Sequence, residues 1–380
     1  MKIKLILSKI KLLKFIVLIL ILYNCKTKNE ENIKLISPSE NLKVHNSSKY
    51  IIENKNLSDS LNDIKAHLSV NNLKIISSNN SIYIFDNLTQ KLKKSYKLKL
   101  QLISVEFSTN INKSKLLVIT SSGQSSTALV FQIDLNSLKI DWLSEYSKQI
   151  TTGCYSNDSN IIALGTNYNE KKTKENTSEY YSSLFILNSS TGKLIDYFKQ
   201  GESISKIEFS KDDKFLYTVL DWPHTDTFVW NTNNKNEKIG AFGKDNTSFY
   251  DACSIDNKTF VSIGNDGIYK WEISEPENYE VVYNNDNKYI NGSDKIYKLD
   301  NMFILVDYPN GSANPPIIKY FDSKFNLTDS FKMKTDFDNI TISDFKLEGI
   351  GDNNKLIYFD IKNKSIINTI EPKSIFENKK

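Results

Sequence analysis

Between residues 262 and 273 the chain reads SIGNDGIYKWEI: a short apolar run, a Gly-Asn-Asp-Gly turn, then alternating apolar and polar positions closing on Trp271-Glu272. Alternation with a period of two predicts a half-buried strand, and Asn, Asp and Gly suit the left-handed backbone of tight hairpin turns. The same plan recurs at 73–86 (LKIISSNNSIYIFD) and 346–360 (KLEGIGDNNKLIYFD), closing on Phe85-Asp86 and Phe359-Asp360. With different turns, the closing pair returns as Ile133-Asp134, Leu187-Asn188, Trp230-Asn231 and Phe321-Asp322. From Phe85 onward, successive marks are 48, 54, 43, 41, 50 and 38 residues apart, which makes seven units. Each mark is followed by a polar turn and a further short strand, as in NSSTGKLIDYF. Several are preceded by an apolar-x-apolar-Ser strand: VEFS ending at Ser108, GCYS at Ser156 and IEFS at Ser210.

Four short strands repeated every 40–50 residues predict an all-β, seven-bladed β-propeller of four-stranded antiparallel blades over 61–372. Alternating helical segments are absent from the pattern, which excludes βαβ architectures. VSIGNDGIYKWEI, and FVWNT at 228–232, resemble the third-strand signature of WD-repeat blades, although the Gly-His dipeptide of that family is missing. The other family the units resemble is the quinoprotein-like propellers. An eighth blade would require strands from 41–55, and a strand at 49–53 is expected to pair onto a sheet edge. The last unit carries its own fourth strand at 365–370, leaving no vacant slot for a closing N-terminal strand. The aromatic marks Phe85, Trp230, Trp271, Phe321 and Phe359 are expected to pack between blades.

The N-terminus follows another pattern. Lys2, Lys4, Lys9, Lys11 and Lys14 precede an apolar run from Phe15 to Tyr23, then Asn24 and Cys25. This is the plan of a secretory signal peptide, and the run is about half of the roughly 20 apolar residues that span a bilayer. Leu22-Tyr23-Asn24-Cys25 resembles the lipobox of bacterial lipoproteins, departing from it at Tyr23 and Asn24. The resemblance implies cleavage after residue 24 and attachment of fatty acids, palmitate among them, at Cys25. Two or more acyl chains suffice for stable anchoring. Residues 25–60, rich in Lys, Asn, Glu and Ser, read as a tether, and 373–380 as a tail. The expected location is exported and lipid-anchored, at an outer membrane or cell surface.

The signal also explains the charge. The chain has 49 basic and 45 acidic residues, net +4, but five lysines lie in the signal, so the remainder carries 44 against 45, net −1. All basic residues are lysines, which removes the planar bidentate donor suited to phosphate and guanine. No nucleic-acid partner is expected, and the protein is expected to be a monomer. Cys154 and Cys253 occupy the same inner-strand position in units three and five and read as small buried hydrophobes, not a disulfide. His45, His67 and His224 lack metal-ligand spacing. There is no Gly-x-Ser-x-Gly elbow, phosphate loop or HExxH motif, and no cofactor is expected.

Candidate chemistry lies in the turns between second and third strands. Four are extended: SSGQSST at 121–127, NYNEKKTKENTSEYYS at 167–182, DWPHTD at 221–226 and DYPNGSANPP at 307–316. In a propeller these turns gather on one face, and extended loops on a rigid scaffold commonly carry function. Tyr168, Tyr180, Tyr181, Trp222 and Tyr308, with Asp221, His224 and Asp226, are therefore the candidate partner-binding residues. Asp221, His224 and Asp226 also invite a catalytic or metal reading, but no partner cluster is assigned by spacing. These features favour a non-catalytic binding scaffold at the cell envelope with a protein or glycan partner. The alternative is a propeller enzyme, lactonase-like or quinone-dependent dehydrogenase-like, with its site at the central channel.

Overall fold

The computed structural model describes residues 43–371, except 45–48, 55–60, 62, 123–126, 173–177, 222–226, 233–237, 243–248, 265, 285–293, 310–313 and 344. Residues 1–42, which include the expected signal and Cys25, most of the expected tether and the tail at 373–380 lie outside the described residues. Each unit forms one antiparallel sheet whose strands follow chain order from inner to outer edge, giving seven blades. The inner strands are Ile64–Val70, Leu102–Thr109, Ile150–Tyr155, Ile204–Phe209, Phe249–Ser254, Lys295–Leu299 and Asp338–Ser343.

The second strands are buried almost throughout, as in Leu73–Ser78 and Thr259–Gly264, because both faces meet neighbouring blades. Outer strands such as Leu327–Lys332 and Ser365–Ile370 face water; the first is largely polar, while the second exposes Ile366 and Ile367. Trp271 is fully buried, stacks on Phe260, meets Phe242 and Phe249 edge-on, and donates its indole N–H to Ser262 Oγ at 2.6 Å. Its cluster includes Tyr217, Val219 and Val229 of blade four, so the mark packs between blades as expected.

The serine ahead of the first turn has a clear role in blades three and four. Ser156 and Ser210 donate to Asp158 and Asp212, and accept the N–H of Ile161 and Phe215. In blade two the inner strand runs further, and Asn110 takes this place, its Oδ1 accepting the N–H groups of Ser114 and Lys115. Ser108 of VEFS instead pairs within the sheet, opposite Leu117.

Two short N-terminal strands add to outer edges. Ile51–Asn54 extends blade one, as expected for this segment, and Lys43–Val44 extends blade two. Neither closes the ring. Blade seven owns its outer strand, Ser365–Ile370. Closure is by packing: Leu61, Ile64, Ile76, Tyr83 and Phe85 meet Ile350 and Leu356 of blade seven in one apolar cluster.

Candidate binding face and central channel

In each blade the connection to the next blade and the turn between strands two and three lie at the same end, since strands alternate in direction. This face carries the extended turns. Blade three's extension is no irregular loop: Asn169–Lys172 pairs with the start of Ser178–Asn188, making a hairpin that runs on from the blade. Tyr168 stands at its base, 37% exposed, its N–H bonded to Ser203 Oγ at 3.0 Å. Asn167 Nδ2 donates to Gln149 Oε1 at 3.0 Å, tying the base to the preceding connection. Tyr181 is half-buried beneath the Lys148 ammonium, 5.0 Å from its ring centre. Tyr180 pairs opposite Glu170 in the backbone ladder. Asp221 is exposed at the end of a blade-four strand, its N–H bonded to Ser203 O. Trp222, His224 and Asp226 lie outside the described residues.

Tyr308 differs from the expectation of a face-exposed aromatic. It is 3% exposed, its N–H donates to Asp294 Oδ1 at 2.7 Å, and its hydroxyl donates to Phe337 O. The chain after Asp307 turns inward and seats the ring between blades six and seven, where the phenol has a carbonyl partner. The parallel between DWPHTD and DYPNGSANPP therefore does not place two aromatics in solvent.

The axis holds a cavity of about 960 Å³ lined by residues from all seven inner strands. Register aligns them. The residues paired with Ser77, Ile119, Gly165, Val219, Ile263, Val306 and Ile350 of the second strands are Ala66, Glu106, Thr152, Lys206, Asp251, Lys295 and Asp338. From blade two onward the ring reads acid, hydroxyl, base, acid, base, acid. Neighbours in it bond: Thr152 Oγ1 donates to Glu106 Oε1 at 3.0 Å, and Lys206 Nζ lies 2.6 Å from Asp251 Oδ1. Asp251 is buried, and its other oxygen accepts the Ile296 N–H at 2.8 Å.

Titration follows these contacts. Burial pulls the Lys206 ammonium down, but Asp251 and Glu208 together hold it above its usual range. Burial pushes Glu106 up to about 7, against the pull of Thr152, Gly153 N–H, Lys295 and Lys206. Burial, with Asp336 nearby, also raises Asp338. A second cavity of about 450 Å³ follows at the opposite end, lined by Cys154, Glu208, Cys253 and Tyr297 among others. Both cysteines are free thiols whose pKa burial raises, which keeps them protonated. Among the described residues no group of three His, Cys, Asp or Glu side chains is placed to hold a metal ion.

No motif marks this ring in the sequence. Its members lie on strands whose bulges differ, and the signal that finds them is register counted back from the closing marks, not motif.

The arrangement defines the chain as a seven-bladed β-propeller with a charged channel. Among solved structures it is similar to the computationally designed Ika8 protein, at TM-score 0.56 and 13% identity, covering 83% of this chain and 88% of that one. It is also similar to Saccharomyces cerevisiae Sqt1, at TM-score 0.57 and 12% identity, covering 84% and 89%. At these identities the likeness shows the fold. No family model and no curated protein matches the sequence.

Proposed function

We propose that this protein is an exported, lipid-anchored binding scaffold that engages a protein or glycan partner of the cell envelope through its extended-turn face. The blade-three hairpin carries the reading. A propeller blade is complete with four strands, and the pairing of Asn169–Lys172 with 178–181 is added to them. They stand on the face where Tyr168 and Asp221 are exposed and where the inner strands begin. The apolar run ending at Cys25 supports the anchor.

Two experiments test the two halves. Fatty-acid labelling of the expressed chain is expected to mark the wild type and not Cys25→Ala; equal labelling refutes the anchor. Crosslinking in intact cells, followed by purification from solubilised membranes, is expected to yield a defined adduct that disappears when 169–181 is replaced by a short turn. An unchanged adduct in a folded variant refutes the face.

The channel supports a second reading, an enzyme of lactonase type. Glu106, held to about 7, is poised as a general base beside Thr152 and a large cavity. Hydrolysis of a small lactone that falls at least tenfold in Glu106→Gln supports it. No hydrolysis by the wild type, or equal rates in both, removes it.

A further inference from the structure

The internal repeat states what each core position should hold, and three positions break it at one place. Lys74 is paired with the closing mark Phe85; the matching residues are Leu116, Ile162, Leu216, Phe260, Phe303 and Leu347. Glu348 stands where the other blades have Ile75, Leu117, Ala163, Tyr217, Val261 and Ile304. His67 stands where blades two to six have Phe107, Gly153, Ile207, Ala252 and Ile296. Lys74 and His67 are 1% exposed and Glu348 is 3% exposed. All three meet at the junction of blades one and seven. A buried ion pair is commonly no more stabilising than the apolar residues it replaces, so packing does not explain the exchange.

Beside them lies a cavity of about 300 Å³, away from the extended-turn face and lined by Ser69, Lys74, Gln90, Lys346, Glu348 and Asn368 among others. Lys74 Nζ donates to Gln90 Oε1 at 3.0 Å and lies 5.6 Å from the centre of the Tyr358 ring. An ammonium has three donors, of which Gln90 takes one. Glu348 accepts hydrogen bonds from the Ser69 side chain and backbone N–H, while its Oε2 is buried 3.8 Å from His67 Nε2.

We propose that the seam between blades one and seven is a second binding site, taking a small organic acid with a hydroxyl or amino group beside its carboxylate. The ligand carboxylate binds the Lys74 ammonium, with Lys346 at the rim. Its hydroxyl or amino group donates to the Glu348 carboxylate. Neighbouring amides accept or donate around it. Burial pulls the Lys74 ammonium down to about 8, so it is charged at neutral pH yet poorly solvated, which strengthens a charge-assisted bond. The volume is at the small end of ligand cavities and admits a molecule of glutamate size or smaller.

The test is thermal unfolding of the purified full chain with lactate, glycine and glutamate, against propionate and sulfate. At least one of the first three is expected to raise the melting temperature by several degrees, saturably. Lys74→Leu, which installs the residue of blades two, four and seven, is expected to fold and to lose the shift. Glu348→Gln is expected to remove the preference over propionate. No shift with any of the three, an equal shift with sulfate, or an unchanged shift in Lys74→Leu overturns the proposal.

Discussion

Lys74, Glu348 and His67 show how a single side chain is judged against its own repeat. Replacing the first two with the residues of the other blades, Lys74→Leu with Glu348→Ile, removes two buried charges and installs apolar contacts. The expected outcome is a gain of about 1–4 kcal/mol, read as a higher urea midpoint at unchanged slope. A loss would mean that the pair is better solvated than its burial indicates. His67 carries a pH signature. Burial, with Lys74 adding to it, lowers its pKa to about 4 from the ordinary 6.5. The stability contributed by the neutral ring is therefore fully present above pH 6.5 and is lost as pH falls towards 4. The full loss is about 3 kcal/mol. Glu348, whose pKa burial raises, works with the opposite sign as pH falls, and Lys74 stays charged throughout. The difference between wild type and His67→Ile isolates the histidine: the variant should lose less stability between pH 6.5 and 4. Parallel pH curves contradict the assignment.

At the scale of elements, tight turns set the register of each hairpin, and several residues in them stand in the left-handed region: Asn71, Asn79, Asn353 and Asn354 among them. This is why Asn-rich stretches marked the turns correctly. Gly192 shows a constraint that composition does not announce. Its φ is +66°, and a Cβ there would lie 2.5 Å from the Trp142 ring of blade two. Trp142 reaches across to donate its indole N–H to Ser189 O at 2.8 Å. Gly192→Ala should therefore strain the backbone and displace the indole, costing about 1–3 kcal/mol in chemical denaturation. A neutral result would show that the turn shifts freely. The blade-three extension was visible as extra length between marks, but a mixed-charge stretch reads as loop. Its strand character depends on pairing with residues that the blade itself aligns.

At the scale of the whole molecule, six blade junctions are crossed by the chain and one is not. Blades one and seven meet without a connecting strand, through an apolar cluster and the polar contacts of Glu348 with Ser69 and His67. Opening there breaks no covalent continuity, so this is the expected weak point. In amide exchange followed by mass spectrometry, Ile64–Val70 and Asp338–Ser343 should exchange faster than Ile204–Phe209 and Phe249–Ser254. The double seam variant should narrow the gap. Uniform protection of all inner strands would show the seam to be as tight as the rest.

The sequence by itself determined the units: their number, their four strands, the turns between them and the inward place of the closing aromatics. These follow from period-two alternation and turn chemistry, which act over a few residues and leave a local trace. Tertiary structure decided which charges meet. Glu106, Lys206, Asp251, Lys295 and Asp338 belong to different blades, and the register of each inner strand on its second strand, with a bulge in four of the five and none in Lys295's, decides which of them share a level. Lys74 and Glu348 lie at opposite ends of the propeller sequence and become neighbours only because the ring closes. Tyr308 was assigned to solvent by its loop and went to the core because a carbonyl there accepts its hydroxyl. Local pattern fixes an element's type, but an axis and a seam are made by closing a circle, and no single stretch of chain carries that information.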